Sequence, residues 1–201
     1  MRQQEIALNA ALKTADAKTV CAALEELVRS SPNVSKLAHE AKINRSRIYR
    51  TFRGNKGPRL AVVINLLRAA GFRLIVKFER QPKKAKPNHF GQGSKTTAHL
   101  ELRWNSKASA EFLTRAFETS DLREIVKALE SVLRAQENVV AFARTASLDR
   151  QSLYRSFRQS RVPQFSMVLH FLNALGLRLV VVPLMANDAF CDEMNRHAVS
   201  N

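Results

Sequence analysis

Val34-Ser-Lys-Leu-Ala-His-Glu-Ala-Lys-Ile-Asn-Arg-Ser-Arg-Ile-Tyr-Arg-Thr-Phe52 is the stretch that decides the fold. It holds two short helical patterns joined by a tight turn at Lys42, and the second pattern is rich in Arg. Asn33 and Asn44 stand just ahead of the two patterns, where a short polar side chain caps a helix. The 100° step of a helix turns Leu37, Ala38, Ala41, Ile43, Ile48 and Phe52 inward, and the small Ala38 allows close approach. The same step turns Ser46, Arg47, Arg50 and Arg53 outward, with Arg45 projecting from the first turn. This is a helix-turn-helix, whose second helix fits the major groove of duplex DNA. Many such turns carry Gly, but here the residue is Lys42.

Moving the sequence by 105 positions lays this stretch on Val139 to Phe157 without a gap. Between Ile6–Lys77 and Glu111–Val182, 25 of 72 positions are identical, which is the mark of an internal duplication. The second copy turns Phe142, Ala143, Ala146, Leu148, Leu153 and Phe157 inward and Arg150, Gln151, Ser152, Arg155 and Arg158 outward. Its caps are Asn138 and Asp149, and its turn residue is Ser147. Tyr49 and Tyr154 lie at the side of their helices, set either to pack against the following helix or to touch a phosphate. Each unit of roughly 75 residues is near the lower size for an independent core, so mutual packing would help both.

Outward from the motif, each unit shows a short first helix at Ile6–Lys13 or Phe112–Glu118. An amphipathic second helix starts near Asp16 or Asp121 and carries Val20, Leu24, Leu27 and Val28, or Ile125, Leu129, Val132 and Leu133. After Pro58 or Pro163 a fifth helix runs from Arg59 to Ala70 or from Gln164 to Leu175, stopped by Gly71 or Gly176. Phe72–Phe78 and Leu177–Val182 then change to a strand pattern. The expected fold is mostly α, with two helix-turn-helix units whose terminal strands pair into a small sheet, either within one chain or by exchange between two chains. The expected boundaries are 1–79 for the first unit, 80–107 for a basic linker with a possible strand at 97–104, 108–184 for the second unit, and 185–201 for a tail.

A formal charge of +16 points to a polyanionic partner. The charge is unevenly placed. Ala41 to Phe78 has no Asp or Glu but ten Lys and Arg, and Arg150 to Asn187 again has no acid but five Arg. Lys83, Lys84 and Lys86 of the linker read either as a solvated connector or as contacts to a DNA backbone. Two cysteines, Cys21 and Cys191, make no disulfide framework and suit a reducing compartment. No run of 18 apolar residues and no signal peptide is present, so a cytoplasmic protein is expected. His39, His89, His99, His170 and His197 show no metal-ligand spacing, and no nucleophile arrangement or phosphate-cradling loop appears. Neither catalysis nor a cofactor is expected.

The segments Leu8-Asn-Ala-Ala-Leu12, Ile43-Asn-Arg-Ser-Arg-Ile-Tyr-Arg50, Asp149-Arg-Gln-Ser-Leu-Tyr-Arg155 and Ala174-Leu-Gly-Leu-Arg-Leu179 resemble the addiction-module antidote family, within the lambda-repressor-like class. The resemblance covers nearly all of both units. It implies sequence-specific binding of double-stranded DNA as a dimer, usually in autoregulation of a toxin–antitoxin operon or prophage locus. The usual member has a single unit, so a tandem chain is expected to supply both recognition helices as a pseudo-dimer. The DNA-contact set is then Arg45, Ser46, Arg47, Tyr49, Arg50 and Arg53 with Arg150, Gln151, Ser152, Tyr154, Arg155 and Arg158. Arg50 and Arg155 suit either a guanine edge or a phosphate. The rival expectations are an antitoxin that neutralises a toxin by protein binding, and an architectural protein with little base specificity.

Overall fold

The computed structural model describes residues 2–53, 57–79, 106–136, 139, 142–143, 148–157 and 162–184, with backbone alone at Arg47, Arg53 and Ser106. The first unit runs α1 (Arg2–Lys13), α2 (Ala17–Arg29), α3 (Val34–Glu40), α4 (Arg45–Arg53), α5 (Leu60–Ala69) and β1 (Phe72–Phe78). The second runs α6 (Ser106–Glu118), α7 (Leu122–Ala135), α8 (Arg150–Ser156), α9 (Phe165–Ala174) and β2 (Leu177–Pro183). The counterpart of α3 is described only at Val139, Phe142 and Ala143, all helical. The expected strand at 97–104, the linker lysines, the tail, Asn138, Ala146, Ser147 and Arg158 lie outside the described residues.

Local chemistry sets the helix ends. Asp16, Asn33 and Asp149 accept the amides of Thr19, Lys36 and Ser152 at 2.8, 2.9 and 2.8 Å, as N-caps do. Gly71 (φ +82°) and Gly176 (φ +69°) take the left-handed conformation that ends α5 and α9. The first helices begin earlier than expected, at Arg2 and Ser106. Their opening residues, Arg2-Gln-Gln-Glu5 and Ser106-Lys-Ala-Ser109, are polar or small and carry no apolar spacing, so periodicity does not register them.

The two strands pair antiparallel within the chain, and their register sets Ile75 opposite Val180, its own counterpart in the repeat. A second link joins counterparts at Arg59 and Gln164, where Leu60 N donates to Pro163 O (2.9 Å) and Phe165 N to Pro58 O (3.0 Å). Both pairs relate one unit to the other by an approximate two-fold axis. The outer strand edges are stitched crosswise. Asn9 of α1 donates to Val181 O (2.9 Å) and accepts from Val181 N (2.8 Å), while Thr114 of α6 does the same for Val76 at 2.7 and 3.1 Å. Asn9 and Thr114 are themselves counterparts.

Alternate residues Phe72, Leu74 and Val76, with Leu177, Leu179 and Val181, enter one contiguous core that draws on both units. The sequence reads as two small domains, yet nearly all the buried side chains among the described residues form a single cluster. The reason is geometric: each unit leaves a strand edge open, and the first helix of the other covers it.

Candidate nucleic-acid interface

The helix-turn-helix of the first unit is built around Lys42, which adopts φ +54° in place of the usual glycine. Its amide donates to His39 O (3.0 Å) and that of Ile43 to Ala38 O (2.9 Å), the paired closure of a Schellman turn. These bonds hold the left-handed conformation that glycine would adopt without strain. The second unit repeats the longer closure, with Leu148 N donating to Ala143 O at 2.8 Å.

Ala38, Ala41, Ile48 and Phe52 are buried, as are Ala143, Leu153 and Phe157, and Ile48 and Leu153 reach 0 % exposure. In the second unit aromatic rings replace aliphatic contacts: Phe171 of α9 meets Phe142 edge-on at 5.4 Å and Phe157 at 4.9 Å between centroids. Both recognition helices are therefore pinned by one face.

On the opposite face, Arg45, Ser46 and Arg50 are exposed on α4, and Arg150, Gln151 and Arg155 on α8. Ser152 is expected to point outward but is half-buried, and its amide serves the Asp149 cap. Those hydrogen bonds from Ser152, backbone first and then hydroxyl, hold the Asp149 carboxyl below the ordinary carboxylate range. The tyrosines part company. Tyr49 is half-buried against the core, whereas Tyr154 is 39 % exposed, with the Arg150 guanidinium 5.8 Å from its ring centre. In the strands, Arg178 Nε lies 3.8 Å from the Glu79 carboxylate, so it serves an acid of the same chain.

A surface hollow of about 630 Å³ joins α7 to α8, lined by Arg134, Arg150, Gln151, Tyr154 and Arg155 among others. Arg134 is absent from the residues read off the sequence. It pairs with Glu130 at 2.6 Å, and the first unit repeats the pair as Arg29 with Glu25 at 2.7 Å. In the second pair the acid is the sheltered member, 17 % exposed against 66 % for Arg134, so the carboxylate anchors the arginine stem and leaves its head toward water. The signal available in the sequence was identity at both positions across the repeat.

A family model described as "Probable addiction module antidote protein" matches residues 3–78 and again residues 97–183. The chain belongs to that family. The two matches end 105 residues apart, at the spacing of the duplication, and the second begins upstream of the boundary at 108 drawn from the sequence. Among curated proteins and solved structures, no match to this chain was found. No helix among its described residues is long and apolar enough to cross a membrane.

Proposed function

We propose that the chain is a sequence-specific double-stranded-DNA-binding transcriptional regulator, acting as a repressor, with both recognition helices supplied by one chain. The observation that carries this is the pairing of repeat counterparts, Ile75 with Val180 and Arg59 with Gln164, which relates α4 and α8 by a two-fold axis. Duplex DNA has matching two-fold symmetry, and half-sites one helical turn apart lie about 34 Å from each other. Arg53, at the end of α4, is six residues from Arg59 at the axis, a reach of at most ~20 Å, enough for the ~17 Å each helix needs. Arg45, Arg50, Arg150 and Arg155 are the candidate base or phosphate contacts, and Arg29 and Arg134 are added as phosphate contacts.

Repression follows from occupancy: a protein filling two major-groove sites on a promoter excludes polymerase without catalysis or cofactor. Sedimentation of the complex tests the arrangement, with one chain expected on a duplex holding both half-sites and two chains counting against it. Arg50→Ala and Arg155→Ala should each weaken cognate binding by about 1–3 kcal/mol more than binding to random duplex. Equal loss on both would reassign these arginines to phosphates. The family description favours a second reading, neutralisation of a toxin protein with DNA binding secondary. Tight binding to a toxin encoded next to this chain, unaffected by Arg50→Ala and Arg155→Ala, would favour it.

A further inference from the structure

The two recognition helices are capped differently, and the difference decides which side chain each offers to a base. In the first unit Asn44 Oδ1 accepts the Ser46 amide at 2.9 Å and the Ser46 hydroxyl at 2.7 Å. Ser46 is exposed, but its hydroxyl proton is committed to the cap. In the second unit the cap is Asp149, and it engages the next residue along: Ser152 gives it its amide, at 2.8 Å. Capping therefore occupies Ser46 in one copy and Ser152 in the other, which are not counterparts in the repeat. The counterpart of Ser46 is Gln151, which is exposed and lines the hollow shared with Arg150 and Arg155. The Arg150 guanidinium lies over the Tyr154 ring, 5.8 Å from its centre, at the edge of the same hollow.

An amide group at this place has a chemistry that serine lacks. Gln donates and accepts through one planar group and matches the N6 and N7 edge of adenine in the major groove, whereas arginine matches guanine. We infer that Gln151 is a specificity-determining residue that reads an adenine in the half-site bound by α8, and that the half-site bound by α4 lacks this preference at the equivalent base pair. The operator is thus an imperfect palindrome, oriented with respect to the chain. This rests on the DNA-binding reading above.

The test is selection of bound sites from random duplex by the full chain, followed by affinities for the selected site and its single-base variants. Replacing the adenine in one half-site should weaken binding about 5- to 150-fold, with the equivalent change in the other half having less than about 2-fold effect. Gln151→Ser should abolish that discrimination and leave the rest of the site preference intact. Gln151→Glu, which can only accept, should shift the preference toward cytosine. Because Gln151 is exposed, neither variant should alter the thermal midpoint, which is measured alongside. A symmetric selected site, or unchanged adenine preference in Gln151→Ser, would overturn the assignment while leaving DNA binding standing. Failure to enrich any sequence over random duplex would overturn the DNA-binding reading itself, and this assignment with it.

Discussion

Asn9→Ala removes two cross-unit hydrogen bonds at once, those joining the α1 side chain to Val181 N and O at 2.8 and 2.9 Å. Each bond contributes about 0.5–1.5 kcal/mol net, so the loss is about 2 kcal/mol, with the Val181 peptide groups left at a partly covered edge. For a chain of 201 residues, about 2–4 °C is lost per kcal/mol, which predicts a fall in Tm of roughly 4–8 °C. Thr114→Val removes the counterpart pair on Val76 and should cost a similar amount, since valine keeps the shape and loses only the hydroxyl. The two sites lie at opposite sheet edges, so their effects should add. The form of the transition matters as much as its midpoint. Because the buried side chains make one cluster, each variant should shift a single melting transition as a whole, followed by circular dichroism and by calorimetry. A midpoint unmoved by either change, or a split into two transitions of which only one moves, would refute the idea of two interlocked units sharing a core.

Lys42→Gly should raise stability by about 0.5–1 kcal/mol in urea titration, since φ +54° is unfavourable for a residue with a Cβ; a loss would mean the Lys42 side chain contributes more than the strain costs. Ile48→Ala and Leu153→Ala, both at 0 % exposure, should each cost about 2–5 kcal/mol by chemical denaturation, and a much smaller loss would show those helices to be loosely seated. Hydrogen bonds from Ser152 depress the folded pKa of Asp149, so its cap contributes fully above the unfolded value near ~3.9 and is lost as pH falls through the lower folded value. The stability advantage of the wild type over Asp149→Ala should therefore shrink on acidification below about pH 4, and a difference that grows there would contradict it. Burial, with a smaller push from the Asp16 charge, raises the Cys21 thiol above its ordinary value. In a Cys191→Ser background a disulfide exchange reagent at pH 8 should label Cys21 only as the chain unfolds, and immediate labelling would show the site to be open.

Most of the helical scaffold was legible in the sequence because its causes are local. Asp16, Asn33, Asn44 and Asp149 cap through bonds to amides two or three residues on, and Gly71 and Gly176 stop helices by a conformation that glycine adopts without cost. The inward faces of α4 and α8 follow from a fixed 100° step, so Ile48, Leu153 and the exposed arginines could be sorted without coordinates. The duplication itself needs only a comparison of the chain with its own copy. The sequence left open whether the strands pair within a chain or between chains, because the same β-branched pattern serves either partner. Only tertiary structure set Ile75 against Val180, and with it the two-fold relation between α4 and α8. The crosswise bonds of Asn9 and Thr114 were likewise hidden, since their partners lie 172 and 38 residues away and neither side chain announces an edge to cover. The same holds for the cap exchange between Ser46 and Ser152. Both serines sit in the first turn of a capped helix, and only the structure shows Asn44 closing on the residue two along and Asp149 on the residue three along.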